Sequence, residues 1–252
     1  MINQFIYPFK TNLSLIEFSS TINNPFTLKI PEIAKIAAVE FQEFIKEEST
    51  NWNYDFTSKK GKMFGVLVVR LSNGELAYLA AVSGKLTTSD SINKLVPSVF
   101  DAATGNYFIN KGMTLLSNFN KQLELTNNEL EQEEIKKQRK ELSLALQKQL
   151  FENYYFLNIK GKTKNVIGIF TEADHGKPPS AAGECAAPKL LNFAFKHQLK
   201  PVALAEFWWG NSIKTADREH LVFYPACKDK CRPILEYMLD DSDLFTKTIS
   251  KK

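Results

Sequence analysis

Two β-rich runs, Met63 to Val69 and Glu75 to Val82, are joined by Ser72-Asn73-Gly74, and Asn-Gly between such runs is the strongest short hairpin signal. The first run is apolar at nearly every position. A strand with one wet face alternates apolar and polar residues, so this one is expected to be covered on both faces. The hairpin therefore calls for a sheet with a layer on each side. With 252 residues, 44% of them hydrophobic, the chain has enough apolar side chain to build it.

The covering layers are legible as helices. From Pro31 to Glu48, apolar residues recur at Ile33, Ile36, Ala37, Phe41, Phe44 and Ile45, close to a 3.6 period, and Pro31 suits a first helical position. From Gly112 to Asn153 the chain is rich in Leu, Gln, Glu and Lys, with no Pro and no further Gly until Gly161. That composition predicts a long helical arm with a break at Asn127-Asn128. Leu130, Ile135, Leu142, Leu144, Leu146 and Leu150 form an irregular seam along it, read either as a solvated helix or as a homodimer contact. A second hairpin is expected from Tyr154–Ile159 and Val166–Phe170 around Lys-Gly-Lys-Thr-Lys, then an ordered loop from Thr171 to Gly183. A helix from Pro188 to about Gln198, an apolar run Val202–Trp209, a short run Leu221–Tyr224 and a helix near Pro233–Leu239 complete the order.

The expected fold class is α+β: a mixed sheet covered by helices, a hairpin–helix–strand–helix unit in the C-terminal half, and the arm. Four parts are expected, possibly within one composite domain: 1–111 with the 63–82 hairpin, the arm at 112–153, a cysteine-bearing part at 154–240, and a tail at 241–252. No apolar run approaches the roughly 20 residues needed to cross a bilayer, and the start MINQFIYPFK lacks a signal-peptide layout, so a cytoplasmic, non-membrane protein is expected. Residues 1–152 carry 17 basic and 17 acidic side chains, and residues 153–252 carry 15 and 11. The net charge of +4 thus sits in the second part, where it suits an anionic partner such as RNA or is ordinary surface.

Three cysteines are too few, and odd in number, for a disulfide framework, so Cys185, Cys227 and Cys231 are read as thiols or ligands. Pro188 places Glu184 and Cys185 just before a helix, and Pro233 places Cys231 at or just before the next. Helix N-termini favour the thiolate, the form that binds metal. A zinc ion on the three cysteines needs a fourth ligand: His175, in the Gly/Pro-rich loop, is preferred over His197 and His220, or water fills the position with Glu184 as its proton carrier. The plain alternative is three buried thiols serving as core, with C-x3-C a weaker metal signal than C-x2-C. A redox pair of Cys227 and Cys231 is also open. Trp208 and Trp209 are read as core or, for one of them, as a platform for an unpaired base, and Lys189, Lys228, Lys230 and Arg232 as cations for RNA.

The segments GKMFGVLVV at 61–69, GELAYLAAVSGKL at 74–86, RKELSLALQKQLFENYYFLN at 139–158, GECAAPKLL at 183–191, AEFWWG at 205–210 and FYPAC…C at 223–231 resemble the N-terminal region of long RluA-type bacterial pseudouridine synthases. The resemblance implies a part in RNA modification, on rRNA or tRNA, beside a synthase catalytic domain. The family's His-Arg-Leu-Asp-type catalytic motif is absent from these 252 residues, so the chain alone is not expected to isomerise uridine. A looser similarity in layout links Glu184, Cys185, Pro225, Cys227 and Cys231 to zinc-dependent nucleobase deaminases, although Glu184 directly precedes Cys185 and C-x3-C replaces C-x2-C. The expected function is an RNA-binding accessory module with a zinc site made by the three cysteines. The alternatives are a deaminase-like zinc hydrolase using Glu184 and a helical dimerisation scaffold.

Overall fold

The computed structural model describes residues 2–19, 21–52, 54–56, 61–86, 94–100, 108–212 and 218–240; the expected tail at 241–252 lies outside them. In chain order the elements are β1 (Tyr7–Pro8), α1 (Glu32–Glu48), β2 (Lys62–Arg70), β3 (Leu76–Val82), α2 (Phe108–Leu125) and α3 (Glu129–Glu152). There follow β4 (Tyr155–Leu157), β5 (Thr163–Asn165), α4 (Val166–Glu172), α5 (Ala186–Lys196), β6 (Lys200–Trp209), β7 (Phe223–Tyr224) and α6 (Lys228–Leu239). The chain is α+β, with a five-stranded sheet in the order β1-β3-β2-β6-β7 and a small β4-β5 pair. Every pairing among the described strands is antiparallel, where a mixed sheet was expected. Parallel neighbours need helical crossovers in one direction, and β6, arriving from α5, instead runs against β2.

β2 lies at the centre and, as its composition requires, is covered on both sides. Phe64, Val66 and Val68 face one core with Tyr78 and Ala80 of β3 and Ala205 and Phe207 of β6. Ile33, Ala37, Phe41 and Ile45 of α1 close that core from above. Leu67, Val69, Leu79, Ala81 and Leu204 face the other, closed by α4, α5, α6 and Phe156. Because β2 pairs with β6 over nine positions, residues on either side of the arm share one sheet. The hairpin turns at Gly74, whose φ of 88° is the left-handed conformation a β-carbon disfavours.

The arm is a pair of helices, broken where the asparagines predicted. Asn128 caps α3, its Oδ1 accepting from the backbone N–H of Leu130 at 3.0 Å and of Glu131 at 3.4 Å. Ile135 and Leu146 are buried, Leu146 packing over Gly112 of α2, so at least this member of the irregular seam closes the helix pair internally. Leu130 and Leu144 remain exposed.

Val166–Phe170, expected as a strand, forms α4. The side chain of Asn165 accepts from Ile167 N–H at 2.9 Å and caps a helical turn, while Val166, Ile169 and Phe170 pack inward. A short apolar run fits either element, and the cap decides it here. No described helix is long and apolar enough to cross a membrane.

Candidate metal centre

The approach of α5 to the sheet is set by Gly65 in β2. A β-carbon there would lie 2.9 Å from Cβ of Ala186 and 3.1 Å from Leu190 Cδ1, so the helix seats on bare backbone. Small residues at the start of α5 complete the fit, and Cys185 stands at its N-cap. Gly65→Val is expected to destabilise the fold by about 1–3 kcal/mol, the usual cost of overpacking, and to increase alkylation of Cys185. Urea unfolding with thiol titration checks it; unchanged values would show that α5 is not held here.

The second helix end differs in detail from its sequence expectation. α6 starts at Lys228, with Cys227 at the N-cap and Pro233 inside the helix. Cys231 is therefore one turn into α6, and the thiols at helix starts are Cys185 and Cys227. Cys231 is fully buried, and Cys185 and Cys227 are half-buried; none is in a disulfide.

The three thiols form one electrostatic cluster. Hydrogen bonding from Cys231 is the largest influence on Cys227, followed against the opposing effect of burial by the backbone N–H groups of Lys230 and Asp229; together they bring its pKa down to about 5. Those N–H groups are free donors of the first helical turn, although none makes a hydrogen bond short enough to count as a side-chain cap. Cys231 moves the opposite way, raised by its hydrogen bonds with Cys185 and Cys227 and by burial. Within the cluster, one thiol is thus made more acidic and another less. Among the described residues, no group of three or more His, Cys, Asp or Glu side chains has a metal-holding arrangement.

Glu206 is the functional candidate the sequence reading passed over. It lies on β6 opposite Gly65, 6% exposed, and its Oε1 accepts from the backbone N–H of Ala187 at 3.1 Å. It thereby satisfies a first-turn donor of α5 that the Cys185 thiol leaves without a side-chain cap. Burial pushes its pKa up to about 7, against the Ala187 hydrogen bond, with Cys227 adding repulsion. The available signal was a lone acid within the apolar run VALAEFWW. A void of only about 10 Å³ adjoins it, lined by Asn23, Leu204, Tyr224 and Ala226, which is room for no more than one water.

The raised pKa has a consequence for metal-free protein. Glu206 stays protonated in the fold up to about pH 7 but ionises near 4.5 when unfolded, so its contribution is complete below 4.5 and lost as pH rises to 7. A difference of this size corresponds to about 3 kcal/mol. Glu206→Gln in chelator-treated protein is expected to remove that slope, gaining on the wild type between pH 5 and pH 8 in urea titrations. Parallel profiles would contradict the placement.

Glu184, read from the sequence as a proton carrier for a metal-bound water, has protein partners in the structure. Its carboxylate accepts from the Tyr154 hydroxyl, pairs with Lys189 Nζ at 3.2 Å and accepts from Ser98 Oγ at 3.4 Å. Lys189 is 3% exposed and also donates to the carbonyls of Val82 at 3.2 Å and Gly84 at 2.8 Å, so its ammonium is withdrawn from the surface. Trp208 and Trp209 are both buried; Trp208 Nε1 donates to Asn211 O at 3.1 Å. Lys228 and Arg232 are exposed beside the cysteines, Arg232 lying over the Phe26 ring and pairing with Glu236, and Lys230 is half-buried.

The histidines lie elsewhere. His175 is exposed, its ring edge-on to Phe170, and His197 packs on Phe193 with centroids 4.3 Å apart. His220 accepts at Nδ1 from Gly210 N–H and stands edge-on to Trp209. No interaction among the described residues joins any of the three to the thiols; the carboxylates whose charge reaches the thiols include buried Glu206 and Asp229, exposed in the first turn of α6. Comparisons with protein-family models, curated proteins and solved structures found no match.

Proposed function

We propose that Cys185, Cys227 and Cys231 hold a zinc ion with Glu206 as the fourth donor, and that the chain is an RNA-binding accessory module in RNA base modification. One observation supports the metal reading: Cys185 and Cys227 stand at helix N-termini, and both act electrostatically on the buried Cys231, as does Glu206, although no group of three among the described residues already has a metal-holding arrangement. Three sulfurs and one oxygen suit tetrahedral zinc, and Cys227 already favours the thiolate. When bound, zinc would supply a crosslink between α5, α6 and β6. A cytoplasmic, reducing setting keeps the thiols available for it.

The sequence blocks similar to long RluA-type synthases support the placement in RNA modification, and the missing catalytic motif supports an accessory role beside a synthase domain. A deaminase-like hydrolase is the second reading, favoured by Glu206, a carboxyl poised near neutral pH beside the thiols. The two separate in one experiment with zinc-loaded protein and structured RNA. The module is expected to bind with salt-dependent affinity and leave the RNA mass unchanged; an amine-to-carbonyl mass change abolished by Glu206→Gln would establish the hydrolase, and indifference to RNA at low salt would remove the binding role.

A further inference from the structure

The helical arm carries a groove of about 420 Å³ between α2 and α3, lined by Ser117 and Asn120 on one side and by Lys136, Arg139, Lys140 and Ser143 on the other. The three cations stand at i, i+3 and i+4, so they project from one face of α3 as close neighbours. Among the described residues, no acidic side chain lines the groove. Lys136 has one acid at helical-neighbour spacing, Glu133, and no ion pair joins them; none of the three cations is ion-paired among the described residues. Like charges at i and i+4 work against a helix, so the cluster is a local positive site in an arm that, over residues 108–152, carries seven basic and seven acidic side chains in all.

We propose that this groove binds the phosphate backbone of single-stranded RNA. The inference rests on the RNA reading above and gives it a location away from the cysteine centre. Phosphates would meet three cations, with Asn120 and Ser143 available to hydrogen-bond sugar and phosphate oxygens. Met113 and Leu144, 53% and 56% exposed, flank the groove and offer apolar surface to unstacked bases. The groove is too small to admit a duplex, so a single strand fits it. A site of this kind is electrostatic and largely indifferent to sequence.

The test uses the full chain and a short fluorescein-labelled single-stranded RNA of mixed sequence, followed by anisotropy over a range of salt. Lys136→Ala/Arg139→Ala/Lys140→Ala is expected to weaken binding at least about tenfold at low salt and to reduce the log–log salt slope by about 2, three phosphates at ~0.7 each. Alanine at these positions preserves helix propensity, which circular dichroism checks. Lys136→Arg/Lys140→Arg is expected to bind like the wild type. If the wild type binds but the triple variant matches it in affinity and slope, the groove proposal fails and the RNA reading stands. If the wild type binds no RNA at low salt, both fail. Dimers in sedimentation that the triple variant dissolves, with RNA affinity unchanged, would assign the groove to a second copy and overturn the proposal.

Discussion

Glu184→Leu is expected to destabilise the fold by about 3–5 kcal/mol, the cost of breaking a buried ion pair from one side. The Lys189 side chain is 2% exposed and that of Glu184 18%, so the remaining ammonium would have no route to water without moving α5. Burial already lowers the pKa of Lys189, and Glu184 is the largest opposing influence. Two carbonyl acceptors would remain, but neither carries the compensating charge. Tyr154, buried at the end of α3, would lose its carboxylate acceptor as well. The double variant Glu184→Leu/Lys189→Met is expected to recover most of the loss, because an apolar pair of similar volume has no charge to desolvate. Urea unfolding of the two variants checks the claim; a single variant within about 1 kcal/mol of wild type would show the pair to be as weak as one on the surface.

On the proposed zinc centre, wild type should gain several kcal/mol of stability from zinc, and Cys231→Ala is expected to abolish both the binding and the gain. Cys231 is the fully buried thiol that interacts with both others, so its loss separates Cys185 on α5 from Cys227 on α6. In chelator-treated samples the two proteins should unfold within about 1–2 kcal/mol of each other, the difference being a small buried group. Thermal melts with and without one equivalent of zinc make the comparison. Equal zinc-dependent gains in variant and wild type would remove Cys231 from the centre.

The fold was legible where one local signal stood without a competitor. Asn73-Gly74 marked the hairpin, the period of Ile33, Ala37, Phe41 and Ile45 marked α1, and the unbroken apolar run of β2 demanded cover on both faces, each as observed. Signals that fit two structures went astray. Pro233 reads as a first helical position, yet α6 begins five residues earlier because Pro is tolerated near a helix start at the cost of one backbone hydrogen bond. Val166–Phe170 is apolar enough for strand or helix, and only the cap at Asn165 separates them. Strand direction depends on how β6 returns over β2, which no local pattern encodes.

Within the site, the cysteines were visible because their residue type is rare and chemically specific. Glu206 was hidden because a carboxylate in a strand ordinarily marks a wet face, and only the register opposite Gly65 shows that it is buried. Lys189 misled for the same reason: lysine on an amphipathic helix usually faces water, and here an internal carboxylate draws it inward. Burial on both sides of the sheet likewise takes Trp208 and Trp209 out of reach of a stacking base.

The most direct test of the metal centre is the zinc X-ray absorption spectrum of protein purified with its metal. The expected first shell has three sulfurs at about 2.3 Å and one oxygen at about 2.0 Å, with Glu206→Gln altering the oxygen contribution and leaving the sulfurs in place. A shell of nitrogen and oxygen only, or protein free of zinc with all three cysteines alkylated in the folded state, would contradict it.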